Sequence, residues 1–158
     1  MTTRQSNKSK IIYFIMSVVL LICFNLYCAT FLSSISQEPM NLFYGINLNY
    51  MENTGAAFSI LQNYKVFLIG FAVCAIIGIL CYLIRHISEM FMMEILMIAL
   101  LISGVGCNLY ERIYFGFVRD YFELSFINFP IFNISDVFIT VSVIVIMYML
   151  FTKNYSKK

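Results

Sequence analysis

From Val66 to Ile84 the chain runs without a single charged side chain. A helix needs roughly 20 mostly apolar residues to cross the hydrocarbon core of a bilayer. Four segments meet or approach that length: about 11–32, 66–84, 91–109 and 134–151. Only 11% of the 158 residues are charged and 61% are hydrophobic. A soluble domain carries about 25% charged residues, so these few could not cover a water-facing globule, and a bilayer must serve as part of the solvent. Spanning segments must satisfy their backbone groups internally, and the alternation of barrel strands is missing. The expected fold is therefore an all-α membrane protein of four transmembrane helices, one integral membrane domain over residues 1–158, with outer segments at about 33–65 and 110–133.

The positive charges set the orientation. With the N-terminus cytoplasmic, the inner side holds Arg4, Lys8, Lys10, Arg85, Lys153, Lys157 and Lys158, and the outer side only Lys65, Arg112 and Arg119. Seven against three satisfies the positive-inside rule and puts both termini in the cytoplasm. Arg4, Lys8 and Lys10 precede Ile11–Leu32 as in a signal peptide, but the stretch is long enough to span and is read as a retained anchor helix. The net charge of +2, with no basic run interleaved with aromatics, excludes nucleic acid as a partner. Cys23, Cys28, Cys74, Cys81 and Cys107 lie in or beside apolar runs without zinc-ligand spacing and read as small buried hydrophobes. In the outer segment 33–65, Asn47-Leu48-Asn49-Tyr50-Met51 alternates with period two, which suggests a strand or small sheet on the membrane surface. Tyr44, Tyr50 and Tyr64 suit the interface.

Chemistry concentrates in two carboxylates. Asp120 falls just beyond the outer end of the third helix, and Asp136 in the first turn of the fourth, so the topology brings both to similar depth. Ionisable groups at membrane depth usually face a bundle interior or a wet cavity. Two carboxyls in one site cannot both ionise easily, and one keeps its proton near neutral pH. Such a pair can activate water with one group and protonate a substrate with the other. On residues alone the question stays open. Asn133-x-x-Asp136 could be only a helix start, with Asn133 as N-cap, and Asp120 a loop residue paired with Arg112 or Arg119. Other chemistries lack their parts. The one histidine, His86, sits in the inner turn, so neither a metal site nor a serine–histidine pair is implied, and Lys65 is the only outer lysine.

Three blocks carry a resemblance. Residues Asn49-Tyr50-Met51-Glu52-Asn53-Thr54-Gly55-Ala56-Ala57-Phe58-Ser59-Ile60-Leu61 resemble the N-x-G-A-A-F block of the bacterial lipoprotein signal peptidases (signal peptidase II). Gly104-Val105-Gly106-Cys107-Asn108-Leu109-Tyr110-Glu111-Arg112, followed by Gly116-Phe117-Val118-Arg119-Asp120-Tyr121, resembles the G-x-x-G-N-x-x-D-R-x-x-x-G-x-V-x-D-F block. Phe132-Asn133-Ile134-Ser135-Asp136 resembles F-N-x-A-D. The blocks come in order, at the expected helix ends, in a chain of matching length.

The resemblance implies an aspartic endopeptidase of the bacterial cytoplasmic membrane, with its active site on the outer side. It would remove the signal peptide of diacylglyceryl-modified prolipoproteins ahead of the lipidated cysteine, using no cofactor. It implies Asp120 and Asp136 as the catalytic pair and Asn53, Gly55, Asn108, Arg112 and Asn133 as supporting or substrate-binding residues. The expected partners are prolipoprotein substrates and membrane lipid, and a monomer is expected. The family usually carries an Asp, and four residues later a Lys, in the first helix, where this chain has Asn25 and Ala29. Cys107 replaces a Gly, Glu111 an Asp, and a charged Arg119 stands where an apolar residue is common. The competing expectation is an inactive relative, or a small four-helix binding or transport protein.

Overall fold

The computed structural model describes residues 6–55, 62 and 64–155, with the backbone alone for 153–155. Four helices are long and apolar enough to cross a membrane: α1 (Asn7–Ile35), α2 (Lys65–His86), α3 (Met92–Tyr114) and α4 (Ile134–Tyr155). Three short strands complete the elements among the described residues: β1 (Met40–Phe43), β2 (Ile46–Asn53) and β3 (Val118–Leu124). Half of the apolar stretch of α3 is buried inside the protein, against 6% in α1 and 11% in α2 and in α4. So α3 is the central helix, packed by the other three, whose remaining faces are left for lipid.

Each helix outruns its apolar stretch for a local reason. At the start of α1 the Ser6 hydroxyl accepts from the Ser9 amide at 3.2 Å, a serine N-cap that draws Lys8 and Lys10 into the helix. Lys10 is buried and donates to the carbonyls of Ile87 (2.9 Å), Ser88 (3.2 Å) and Met90 (2.7 Å), so its ammonium satisfies the turn between α2 and α3. An apolar cluster containing Leu83, Ile87, Ile95 and Ile98 packs beside that turn. The α2 helix runs on through His86, which lies in its last turn with its ring 4.8 Å from that of Tyr82, rather than in a connecting turn.

The outer segment expected to begin at 110 begins instead after Tyr114. The Glu111 carbonyl accepts from Phe115 (2.8 Å) and Gly116 (3.3 Å), and Gly116, at φ +94°, turns the chain out of the helix. Glu111 and Arg112 are therefore helical residues. Beyond the turn lies β3, which was not expected. It pairs antiparallel with β2, with Leu48 opposite Phe122, Met51 opposite Asp120 and Asn53 opposite Val118, and a bulge between Leu48 and Met51. β1 pairs antiparallel with the other edge of β2, giving the order β1-β2-β3. Strand β3 buries Val118, Asp120 and Tyr121, so strict alternation is lost and an acid stands among its buried positions, and a search for apolar alternation passes over it. The strand expected at 47–51 is the middle of β2.

The cysteines depart from expectation. Cys107 is buried, but Cys23, Cys74 and Cys81 are exposed and Cys28 is intermediate, and all are free thiols. In a membrane the outer faces of the helices meet lipid, which accepts a thiol as readily as a protein core does.

A close helix contact at Gly104 bears on the site. A Cβ built on Gly104 would lie 2.6 Å from the carbonyl oxygen of Ser135 and 2.9 Å from a side-chain carbon of Ile139. Only glycine lets α3 approach α4 this closely, and Ser135 directly precedes Asp136. Gly106, in the same small-residue run, has nothing within 4 Å. Gly104→Ala is expected to destabilise the protein by about 1–3 kcal/mol through overpacking, whereas Gly106→Ala leaves thermal stability in detergent unchanged or slightly raised. Equal melting temperatures for the two variants would refute this assignment.

Candidate active site

The site is assembled at the sheet end of the bundle from four pieces of chain. Asp120 comes from the middle of β3 and is fully buried. Asp136 comes from the first turn of α4. Asn53 ends β2, and because Asn53 faces Val118 and Met51 faces Asp120, the Asn53 and Asp120 side chains share one face of the sheet. Asn108 and Arg112 stand one turn apart on α3.

Amides orient both carboxyls. Asp120 accepts from the Asn53 Nδ2 at 2.8 Å on one oxygen and from the Asn133 Nδ2 at 2.7 Å on the other. Asp136 accepts from the Asn108 Nδ2 at 2.9 Å on one oxygen and from the Asn133 backbone N–H at 3.2 Å on the other. Asn133 is the hub. Its Oδ1 accepts from the Asp136 backbone N–H at 3.0 Å, so it caps α4, while its Nδ2 reaches Asp120 and also the Asn108 Oδ1 at 3.3 Å. The helix start and the carboxylate support read from the sequence are therefore both present, carried by the two ends of one amide. Only asparagine offers a capping acceptor and two donors at that length.

Gly55 links Asn53 to Arg112. Its N–H donates to the Asn53 Oδ1 at 2.9 Å, and its carbonyl accepts from an Arg112 terminal nitrogen at 2.7 Å. The other terminal nitrogen of Arg112 donates to the Asn108 carbonyl at 3.4 Å, and Nε has no partner among the described residues. Every site residue expected from the sequence that lies among the described residues thus meets in one network. Residues 56–61, the rest of the first motif, lie outside them. Arg119 does not pair with Asp120.

Two supports were not anticipated. The buried Asn25 donates to the Ser135 hydroxyl at 2.9 Å, joining α1 to the first turn of α4, which gives the asparagine at the departure in the first helix a definite partner. The buried Tyr121 accepts the Ile134 amide on its hydroxyl at 3.2 Å, so β3 also holds the first residue of α4. A buried asparagine in an apolar helix was the available signal for the former; nothing local marked Tyr121.

The electrostatics are those of a crowded acid pair. The Asp120 carboxyl is pushed up to about 7, chiefly by burial and next by the charge of Asp136, against the opposing pull of the Asn53 and Asn133 amides and the Arg112 guanidinium. Both aspartates line a cleft of about 700 Å³ between α2 and α4, whose other walls are mostly apolar, among them Leu68, Phe71, Ala75, Val137 and Val141. That is the size range of ligand pockets. An apolar groove ending in two carboxyls and an arginine suits an amphipathic ligand.

A sequence model of the family described as signal peptidase (SPase) II matches residues 17–152. The chain belongs to the signal peptidase II family. It is 41% identical over 102 residues to the lipoprotein signal peptidase of Streptococcus pneumoniae R6, an alignment that covers 65% of this chain and 66% of that protein, just under two thirds of the relative's length. It is 37% identical over 108 residues to the lipoprotein signal peptidase of Streptococcus thermophilus CNRZ 1066, covering 68% of this chain and 70% of the other. In fold it is similar to a bacterial membrane enzyme of known structure, with a TM-score of 0.83 at 24% identity over 92% of this chain and 91% of that one. The family's peptidase character and its place in the membrane accord with four spanning helices and a cleft between two of them.

Proposed function

We propose that this protein is an aspartic endopeptidase that cuts diacylglyceryl-modified prolipoproteins ahead of the lipidated cysteine. The observation that carries the proposal is the buried Asp120, oriented by two amides and raised to about 7, facing the same apolar cleft as Asp136. With Asp120 protonated, Asp136 acts as general base. It takes a proton from a water whose oxygen bonds to the scissile carbonyl carbon, while Asp120 gives its proton to the carbonyl oxygen. The tetrahedral diol then collapses: the C–N bond breaks, the amine leaves with a proton, and a carboxylic acid remains. The chemistry requires only water and the two carboxyls. Arg112 and Asn108 hold the substrate backbone and the Asp136 oxygens.

The substrate's acyl chains stay in lipid, and the α2–α4 cleft gives them sideways access from the bilayer. The sheet end, with Asn53 and Gly55, lies on the outer side and both termini are cytoplasmic, in keeping with the lysine and arginine tally. The outer segment about 33–60, of which the structure describes residues up to 55, is proposed as the cover that excludes bulk water from the site. Immobilising it by a crosslink should slow turnover; unchanged turnover would remove it from the mechanism.

The decisive assay is cleavage of a diacylglyceryl-modified prolipoprotein by the purified protein in lipid. A product beginning with the modified cysteine is expected, with the unmodified precursor left intact; no cleavage of either would overturn the proposal. The same assay has a signed pH dependence. Below about 7 Asp120 holds the proton it must donate, and above it the proton is lost, so kcat should fall about tenfold per pH unit on the alkaline side. An alkaline limb centred near 10 would contradict the assignment of Asp120 as the acid.

A further inference from the structure

The two charged departures from the family pattern, Glu111 and Arg119, are each other's partners. Glu111 lies in the last turn of α3, immediately before Arg112, and Arg119 is the second residue of β3, immediately before Asp120. The Glu111 side chain, 4% exposed, accepts three hydrogen bonds from this one residue. The Arg119 backbone N–H donates to Oε2 at 2.8 Å, and the guanidinium donates to Oε1 from Nε at 2.9 Å and from Nη2 at 2.6 Å. The guanidinium also lies over the Phe115 ring at 4.8 Å. This is more than a surface ion pair, since the carboxylate holds the strand's main chain as well as its side chain. The peptide plane it grips joins Val118 to Arg119, one residue before Asp120.

We propose that Glu111 and Arg119 form a coupled positioning pair that locks β3 against the end of α3 and so sets the Asp120 carboxyl toward Asp136. The chain leaves α3 through a single glycine turn at Gly116. Besides the Glu111–Arg119 tie, the described hydrogen bonds that link β3 to the start of α4 are those of the Asn133 amide and the Tyr121 hydroxyl, and β3 also pairs with Phe132. The longer arm of glutamate matters here. An aspartate, one methylene shorter, would have to choose between the guanidinium and the Arg119 amide, so the two departures are fitted to one another. Neither residue touches substrate, and both act through the placement of Asp120. The proposal rests on Asp120 and Asp136 being the catalytic pair, but its geometry is testable without turnover.

The test compares Arg119→Leu, Glu111→Gln and the double variant Glu111→Gln/Arg119→Leu. Turnover is read as kcat and KM on the diacylglyceryl prolipoprotein, and hydrogen exchange on peptides spanning 117–124. Arg119→Leu leaves a buried carboxylate with one donor, and it should lower kcat about 10- to 100-fold with KM within about twofold, since small misplacements of a catalytic group carry losses of that order. The double variant removes both charges while the glutamine oxygen still accepts the residue-119 amide, so it should regain about tenfold over Arg119→Leu, a coupling that independent sites do not show. Exchange at 117–124 should speed up in Arg119→Leu and slow again in the double variant, with α3 unaffected. A purely structural ion pair would lower the melting temperature and leave the kcat of folded protein and the exchange of β3 unchanged, and that result would overturn the proposal. So would a double variant no better than its worse parent. If the wild-type protein cleaved nothing, the peptidase assignment would fall, and the exchange comparison would still decide the clamp: faster exchange upholds it and unchanged exchange rejects it.

Discussion

Asp136→Asn is expected to lower kcat by at least about 1,000-fold, and Asp120→Asn by a similar factor, because each removes one member of an acid–base pair that cannot work singly. The two losses should not multiply: the double variant should be no slower than the worse single one. The amide is nearly isosteric, but it is not silent in this network. Asp120 accepts an amide donor on each oxygen, so an asparagine there turns its own NH2 toward one of them and obliges Asn53 or Asn133 to rotate. At Asp136 one donor is a main-chain N–H that cannot rotate, so Asn108 must do so. Each variant therefore needs its melting temperature and membrane abundance measured beside its rate. Loss of rate with abundance near wild type is the expected pattern. Substantial residual cleavage by either purified variant would remove that aspartate from the chemistry.

Asn133 offers the second large effect, since its cap and its support roles can be separated. Asn133→Ala loses both. It should reduce stability by about 1 kcal/mol as the α4 cap is lost and reduce kcat about 10- to 100-fold as Asp120 loses one of the two amides that orient it. Asn133→Ser keeps an oxygen that can accept the Asp136 amide but has no NH2 to reach Asp120 or Asn108. Its stability should stay within about 0.5 kcal/mol of wild type while kcat still falls about 10- to 100-fold. Melting curves and steady-state kinetics on the two variants check this directly. A serine variant with full activity would reduce Asn133 to a helix cap.

The four helices were legible because the constraint behind them is severe: a spanning segment must be long and nearly free of charge, and Val66–Ile84 cannot be much else. Their ends were less legible, since Ser6 at the start of α1 and Gly116 after α3 act through local hydrogen bonds that an apolar count ignores. The aspartate pair could be located by topology, because Asp120 and Asp136 flank the segment joining two antiparallel helices. Their orientation could not, since it depends on amides from β2, α3 and the cap of α4. Strand β3 was hidden because its central inward residue is an acid. The Glu111–Arg119 pair was hidden for a related reason: read separately, each residue was a departure, and only the return of β3 beside the end of α3 made them partners. Asn25 is legible in the sequence as a departure in the first helix, but its partner Ser135 lies 110 residues away.

The central claim is that Asp120 keeps its proton to near neutral pH because it is buried beside Asp136. These are the only two aspartates in the chain, so protein labelled with carbon-13 at the aspartate carboxyl gives two signals without background. Titrated in lipid nanodiscs, the Asp120 carbon should change with a midpoint near 7, and Asp136→Asn should move that midpoint downward by removing the neighbouring charge. A midpoint for Asp120 near the ordinary aspartate value of about 3.9, indifferent to the substitution at 136, would contradict the account.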